Sequence, residues 1–215
     1  MEKEQLASLI DSTLLKPATE SEIYSLCLEA AKYRFAAVCI MPHFVPLACS
    51  LLKNSDIKIC TVAGFPLGES SVSSKVFEVK DAIKMGADEV DFVVNLSDAK
   101  QNRFDKIKGE IEAVVKAAYG KTIKVIVEEC LLTENQIEQA CEAVRLGGAQ
   151  FIKTSTGFSF HGATVKNVQI MAQALKGSNV KIKAAGGIKT FEQALELVKA
   201  GAERIGTSKA KEIVT

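Results

Sequence analysis

Leu146-Gly147-Gly148-Ala149-Gln150-Phe151-Ile152-Lys153-Thr154-Ser155-Thr156-Gly157 holds three features in a row. A helical pattern ends at glycine, an apolar run reads as a buried strand, and the strand opens into a loop of small hydroxyl residues closed by another glycine. The junction recurs: Met85-Gly86-Ala87-Asp88 and Ala200-Gly201-Ala202-Glu203 each end a helix at glycine and enter a strand. Three copies of one helix-to-strand turn imply a repeated β/α unit.

Outward from this stretch, apolar runs at residues 9–13, 36–40, 57–62, 89–94, 123–127, 180–184 and 203–206 join the Lys153 strand to make eight. Helical patterns lie between them. Thr19-Glu20-Ser21-Glu22, Thr133-Glu134-Asn135-Gln136 and Thr190-Phe191-Glu192-Gln193 are capping boxes. Further helices are expected over about 73–85, 104–118 and 164–175, with short ones after Pro42 and at the end of the chain. Eight alternating units, with no Gly-x-Gly-x-x-Gly after the first strand, predict an α/β fold of the (β/α)8 TIM-barrel type rather than a doubly wound sheet. The sequence reads as a single domain over residues 1–215, with no linker or low-complexity segment.

Composition narrows the function. Lysine and arginine number 27 against 26 aspartate and glutamate, a net charge of +1, and no basic run interleaved with aromatics suggests nucleic acid or an anionic membrane as partner. Met1-Glu2-Lys3-Glu4-Gln5 is unlike a signal or transit peptide, and no apolar run reaches the roughly 20 residues of a membrane span, so a cytoplasmic protein is expected. Cys27, Cys39, Cys49, Cys60, Cys130 and Cys141 form no C-x-x-C pair, which fits buried thiols in a reducing compartment better than a disulfide frame or zinc site. With only His43 and His161, histidine-rich metal sites are nearly excluded, and no metal or cofactor is expected.

The chemistry is expected on the strands. Residues two apart share a face. Val90, Phe92 and Val94 facing the helices would turn Asp91 and Asn95 into the barrel, while Ile152 facing outward turns Phe151, Lys153 and Ser155 inward. Ile182 and Ala184 facing outward leave Lys183 inside, beside Lys153, since neighbouring strands are only about 4.8 Å apart. A buried strand has no structural use for an ammonium. Desolvation and a second nearby ammonium both favour the free amine, the nucleophilic form needed for Schiff-base catalysis, and Asp91 could pair with Lys183 and relay a proton. Lys124 and Lys181, by contrast, are expected to reach solvent along their stems.

Asp11 is either a polar lid on the barrel or a contact to substrate hydroxyls, Cys39 reads as small inward packing with substrate contact as its alternative, and Glu128 as a lysine partner or substrate ligand. His43 and His161 read as loop residues. Ala185-Gly186-Gly187-Ile188 and Gly206-Thr207-Ser208 follow the last two strands, where this fold often presents backbone N–H groups to phosphate. The implied ligand is a small phosphorylated aldehyde or ketone.

These motifs, with Glu89-Val90-Asp91, Val38-Cys39-Ile40-Met41-Pro42 and Arg204-Ile205-Gly206-Thr207-Ser208, resemble the deoxyribose-phosphate aldolase family from Ile10 to Ser208. The resemblance implies a metal-independent class I aldolase, a homodimer, that cleaves 2-deoxy-D-ribose 5-phosphate reversibly to D-glyceraldehyde 3-phosphate and acetaldehyde. It implies that Lys153 forms the Schiff base, that Asp91 and Lys183 carry protons, and that Gly186, Gly187, Gly206 and Ser208 bind the phosphate. Asp11, Cys39, Thr154 and Gly157 complete the expected substrate contacts. The sequence departs from some relatives in having Phe158 directly after Thr156-Gly157, where they have lysine, and in lacking a C-terminal tail ending in tyrosine. Two other readings stay open: a transaldolase-like lyase with another donor, and a non-catalytic phosphosugar-binding barrel.

Overall fold

The computed structural model describes residues 1–215. Its elements in chain order are α1 (Lys3–Ala7), β1 (Ile10–Leu14), α2 (Glu20–Tyr33), β2 (Ala37–Ile40), α3 (Val45–Leu51), β3 (Lys58–Ala63), α4 (Val72–Lys84), β4 (Glu89–Val93), α5 (Leu96–Lys100), α6 (Phe104–Ala117), β5 (Thr122–Ile126), α7 (Glu134–Gly147), β6 (Phe151–Lys153), α8 (Val165–Ala174), β7 (Lys181–Ala185), α9 (Phe191–Ala200), β8 (Arg204–Thr207) and α10 (Ala210–Val214). The strands pair in sequence order, all parallel, and β8 closes on β1 into a barrel. This is the (β/α)8 TIM barrel that the repeated junctions predict.

Local chemistry explains the element ends. Thr19, Thr133 and Thr190 accept the N3 backbone N–H of α2, α7 and α9, and Glu22, Gln136 and Gln193 return the bond, so all three capping boxes form. α7 ends at Gly147, as the sequence leads one to expect, and Gly148 takes the left-handed turn at φ 80° before the following strand. Between β4 and α6 lies the short helix α5. Asn95 caps it by accepting the Asp98 N–H at 2.8 Å, so Asn95 does not project into the barrel as strand parity predicts.

Apolar packing is divided between two places. The larger core lies between the barrel wall and the helices, where outward-facing Val90, Phe92, Ile152, Ile182 and Ala184 are buried. A smaller cluster of Leu15, Ala37, Cys39, Cys60 and Val62 fills one side of the barrel interior. The other side is filled by charge: Asp11, Glu89, Asp91, Lys124, Lys153 and Lys183 are all buried, with Arg204 partly so. Barrel interiors are normally packed with branched apolar side chains, and buried ions cost free energy unless well paired. The interior is therefore where chemistry is to be sought.

Candidate active site

Parity and register assemble the site. β6 and β7 pair with Lys153 opposite Lys183, β4 and β5 with Asp91 opposite Lys124, and β7 and β8 with Lys183 opposite Arg204. Inward side chains at those positions meet across the barrel. Asp91 is the hub: its Oδ2 accepts from Lys153 Nζ at 2.8 Å and Lys183 Nζ at 2.7 Å, and its Oδ1 accepts from Lys124 Nζ at 2.8 Å. Lys124 also reaches Glu89 Oε2 at 2.6 Å. Arg204 Nη1 donates to Asp11 Oδ1 at 2.7 Å and lies 3.1 Å from Glu89 Oε2, and Asp11 Oδ2 accepts from Lys183. Followed around, Arg204, Asp11, Lys183, Asp91, Lys124 and Glu89 form a closed ring of alternating charge, with Lys153 attached from above through Asp91.

The ring fixes ionisation. Burial alone would raise the Asp91 carboxyl, but Lys124, Lys153 and Lys183 outweigh it and hold it well below the ordinary carboxylate range. Asp11 is likewise lowered against burial by Lys183, Lys124 and Arg204. Burial opposes the ammoniums too, yet Asp91, Cys60, Asp11 and Glu89 hold Lys124 well above its ordinary value, and Asp11 and Asp91 do so for Lys183. Asp91, Asp11, Lys124 and Lys183 are thus each held charged by opposite neighbours.

Lys153 differs from the other six. It lines a cavity of about 340 Å³ at the C-terminal ends of the strands, with Gly157, Phe158, Gly186, Gly187, Gly206 and Ser208 among the other lining residues. Lys16, Lys189 and Lys209 line the same cavity. These three loop lysines carry no motif of their own, and sequence reasoning missed them. They supply positive charge to a pocket in which Phe158 stands instead of a lysine, its ring packed edge-on to Phe65 at 5.4 Å. Gly206 is needed beneath the pocket, because a Cβ there would lie 3.0 Å from Ala185 Cβ and 3.1 Å from Lys183 Cε.

Several expectations change. Asp11, a candidate for substrate hydroxyls, is fully buried with both oxygens engaged by Lys183 and Arg204, so it supports the ring and does not face the pocket. Thr154, another candidate contact, is also fully buried: its hydroxyl bridges to β7, donating to Ala185 O and accepting from Ala185 N. Cys39 is buried inside the barrel as packing, its Sγ 3.9 Å from Asp91 Oδ2, and is not among the cavity-lining residues. Lys124, expected to reach solvent, is wholly enclosed, because it shares an inward face with Asp91 across the β4–β5 register. Lys181 does reach solvent. Glu128 accepts from the Thr156 backbone and hydroxyl and forms no ion pair within 4 Å; burial raises its carboxyl. His161 is an exposed loop residue, whereas His43, also exposed, sits in a short 3-10 helix over Pro42–Phe44.

Two groups of potential metal ligands, Cys39–Cys60–Asp91 and Asp11–Cys60–Glu89, have donor atoms within 4.8 Å of one another. Lys124 already binds Cys60 at 3.1 Å, Asp91 and Glu89, so a dication would have to displace an ammonium from its own site. What the arrangement can do is present one amine from the barrel interior to a small pocket, with a carboxylate and a second lysine behind it. That is equipment for imine chemistry and proton transfer on a carbonyl compound.

The profile of the DeoC/LacD family aldolases matches residues 7–212, a span that takes in the entire barrel. The chain belongs to this aldolase family. It is 48% identical over 215 residues to a deoxyribose-phosphate aldolase of Dictyoglomus turgidum, covering 100% of this chain and 98% of that one. A deoxyribose-phosphate aldolase of Thermoanaerobacter pseudethanolicus is 53% identical, with 94% and 92% covered. Among solved structures, a putative deoxyribose-phosphate aldolase from Coccidioides immitis superposes with a TM-score of 0.97 at 39% identity, covering 100% of this chain and 86% of that one. The present aldolase thus shares both sequence and barrel with these proteins over nearly its full length.

Proposed function

We propose that this aldolase cleaves 2-deoxy-D-ribose 5-phosphate reversibly to D-glyceraldehyde 3-phosphate and acetaldehyde through a Schiff base on Lys153. The observation that carries the reading is the one strand-borne amine on the pocket wall, 2.8 Å from a buried carboxylate that leads on to Lys183. The free amine attacks the C1 aldehyde, and loss of water gives an iminium. A base takes the C3 hydroxyl proton, C3 becomes the aldehyde of the departing glyceraldehyde phosphate, and the electrons of the C2–C3 bond flow into the iminium to leave a two-carbon enamine. Protonation at C2 and hydrolysis release acetaldehyde and regenerate the amine. Asp91 and Lys183 hold and return the proton in this scheme, because they form a continuous hydrogen-bonded path from Lys153.

The phosphate is held at the glycine-bearing loops of Gly186, Gly187, Gly206 and Ser208, with Lys16, Lys189 and Lys209 as its cations. Gly157 forms the adjoining wall. The same reading includes a cytoplasmic homodimer formed from single-barrel chains of residues 1–215. Six free cysteines support the reducing compartment, and no helix is long and apolar enough to cross a membrane. A related aldolase from Aeropyrum pernix, 35% identical, is described as tetrameric, and light scattering of the purified protein decides between two and four subunits here.

The test is release of glyceraldehyde 3-phosphate from 2-deoxyribose 5-phosphate in the presence of EDTA, with the reverse reaction run on acetaldehyde and on dihydroxyacetone. Turnover with acetaldehyde alone as donor is expected. Turnover with dihydroxyacetone would assign a transaldolase-like lyase, and tight binding without turnover would assign a phosphosugar-binding barrel.

A further inference from the structure

The loop between β6 and α8, residues 157–163, is exposed at Phe158, Phe160 and His161, yet it is fastened at both ends. The fasteners are two consecutive carboxylates that follow β5. Glu128 accepts the Thr156 N–H at 3.2 Å together with the Thr156 hydroxyl, whose oxygen in turn accepts the Phe158 N–H at 3.1 Å. Glu129 accepts the Thr164 N–H at 3.0 Å, while its own N–H donates to Thr154 O at 2.8 Å. Thr164 is also the N-cap of α8, accepting the Asn167 N–H at 3.1 Å, so one residue fixes the far end of the loop and the start of the helix.

Between its fastened ends the loop rests on the turn that follows β7. The Ala163 N–H donates to Ala185 O at 3.0 Å, and a Cβ on Gly162 would lie 2.0 Å from Gly186 O and 2.6 Å from Gly186 Cα. From the other side, a Cβ on Gly186 would lie 2.9 Å from Gly162 Cα and 3.6 Å from Gly157 Cα. Two backbones thus touch with no side chain between them, a contact that glycine alone allows. Gly186 and Gly187 line the cavity, whereas Gly162, Thr164 and Glu129 do not. The course of the loop past Gly162 therefore sets the position of a pocket-lining turn from outside the pocket.

We propose that Glu129 is a positioning residue for the phosphate end of the substrate, holding the loop down through Thr164 so that Gly162 seats Gly186 in the phosphate-binding turn. The proposal rests on the reading of Gly186, Gly187, Gly206 and Ser208 as the phosphate site. Glu129 is fully buried, and its Oε2 has no hydrogen-bond partner. Leaving a buried carboxyl oxygen unpaired costs free energy, and what the side chain secures in return is the end of the loop. Glu128 fastens the near end at Thr156, which itself lines the cavity three residues from Lys153, so its loss would disturb the amine and the phosphate site together. Glu129 holds the far end, eleven residues from Lys153, where the phosphate turn is the part of the pocket that the loop supports.

Three variants test this. Glu129→Leu keeps the buried volume and removes the acceptor, Glu129→Gln keeps an acceptor for the Thr164 N–H, and Gly162→Ala drives a methyl group against Gly186. Each is compared with wild type on 2-deoxyribose 5-phosphate and on unphosphorylated 2-deoxyribose, with inorganic phosphate as a competitor. For the phosphorylated substrate, KM and the inhibition constant of inorganic phosphate are expected to rise about tenfold in Glu129→Leu and Gly162→Ala, with kcat within about twofold of wild type. With 2-deoxyribose, kcat/KM stays within about twofold in both. Glu129→Gln brings KM for the phosphorylated substrate back to within about threefold of wild type. Equal losses with both substrates, or a Glu129→Gln protein no better than Glu129→Leu, would overturn the proposal and leave a structural role. If Glu129→Leu does not fold, Gly162→Ala decides, since an unchanged KM there breaks the link between loop and phosphate turn and overturns the proposal. A wild-type protein that turns over 2-deoxyribose as readily as its 5-phosphate, or that inorganic phosphate does not inhibit, overturns the phosphate reading itself, before any variant is compared.

Discussion

Replacing Lys124 by methionine keeps most of the side-chain volume and removes the ammonium that joins Asp91, Glu89 and Cys60 inside the barrel. Deleting one member of a buried ion pair generally costs about 3–5 kcal/mol, because the remaining charge is left without compensation. Here Asp91 keeps Lys183 and Lys153, and Glu89 keeps Arg204, which puts the cost at the lower end, about 3 kcal/mol. Against a domain stability of roughly 5–15 kcal/mol the loss is large, and for a chain of this size it lowers the melting temperature by roughly 6–12 °C. The effect depends on pH with a definite sign. Because the folded Asp91 carboxyl is held below its unfolded value, its contribution is fully present above about pH 4 and fades as the pH falls through the folded value. The gap between wild type and Lys124→Met is therefore widest at neutral pH and narrows below about pH 4. Urea unfolding followed by circular dichroism at pH 7, 5 and 3.5 measures it. A difference under about 1 kcal/mol at pH 7, or a gap that does not change with pH, would refute the reasoning.

Three other outcomes follow from single contacts. Glu129 is buried, its Oε1 accepts from Thr164 N and its Oε2 has no partner, and burial pushes its carboxyl up to about 7. The folded state then holds a proton that the unfolded state releases, so stability falls between about pH 4.5 and 7, by roughly 3 kcal/mol in all. Glu129→Gln should flatten this dependence and be the more stable protein at pH 8, which thermal melts across pH would check. Thr156→Val takes the hydroxyl bond from buried Glu128 and should cost about 1–3 kcal/mol, more at pH 8 than at pH 5 because the loss falls on the ionised form. Equal losses at both pH values would count against that account. Gly206→Ala sets a methyl 3.1 Å from Lys183 Cε, and kcat is expected to fall about tenfold while stability drops by only about 1–3 kcal/mol. An unchanged kcat would mean that Lys183 tolerates displacement.

The barrel was legible because each device that builds it is local. A glycine after a helix, a capping threonine three residues before a glutamate or glutamine, and apolar alternation are read within a few residues, and they located every strand to within one or two positions. Parity also brought Lys153, Lys183 and Asp91 to one interior. It failed where the chain had already left the strand, since Asn95 is a helix cap and not a barrel residue. Lys124 was misread for a different reason. Taken alone, a lysine flanked by apolar residues resembles a stem reaching solvent, and only its register opposite Asp91 turns it inward. Its even spacing from Glu128, a residue expected to face inward, was the available signal. Asp11 and Cys39 face inward as expected, but depth along the strand separates a pocket wall from a buried support, and one sequence carries no measure of depth; Thr154 is taken up by its bonds to the Ala185 backbone. Lys16, Lys189 and Lys209 reach the pocket from loops whose course is set by packing between distant segments.

The central claim is that Lys153 is the nucleophile, and the direct measurement is borohydride trapping with 2-deoxyribose 5-phosphate or acetaldehyde, in EDTA, followed by intact and peptide mass analysis of wild type and Lys153→Ala. The account requires a stable adduct on Lys153 in wild type, lost in the variant. An adduct on Lys183, or none despite bound substrate, would contradict it.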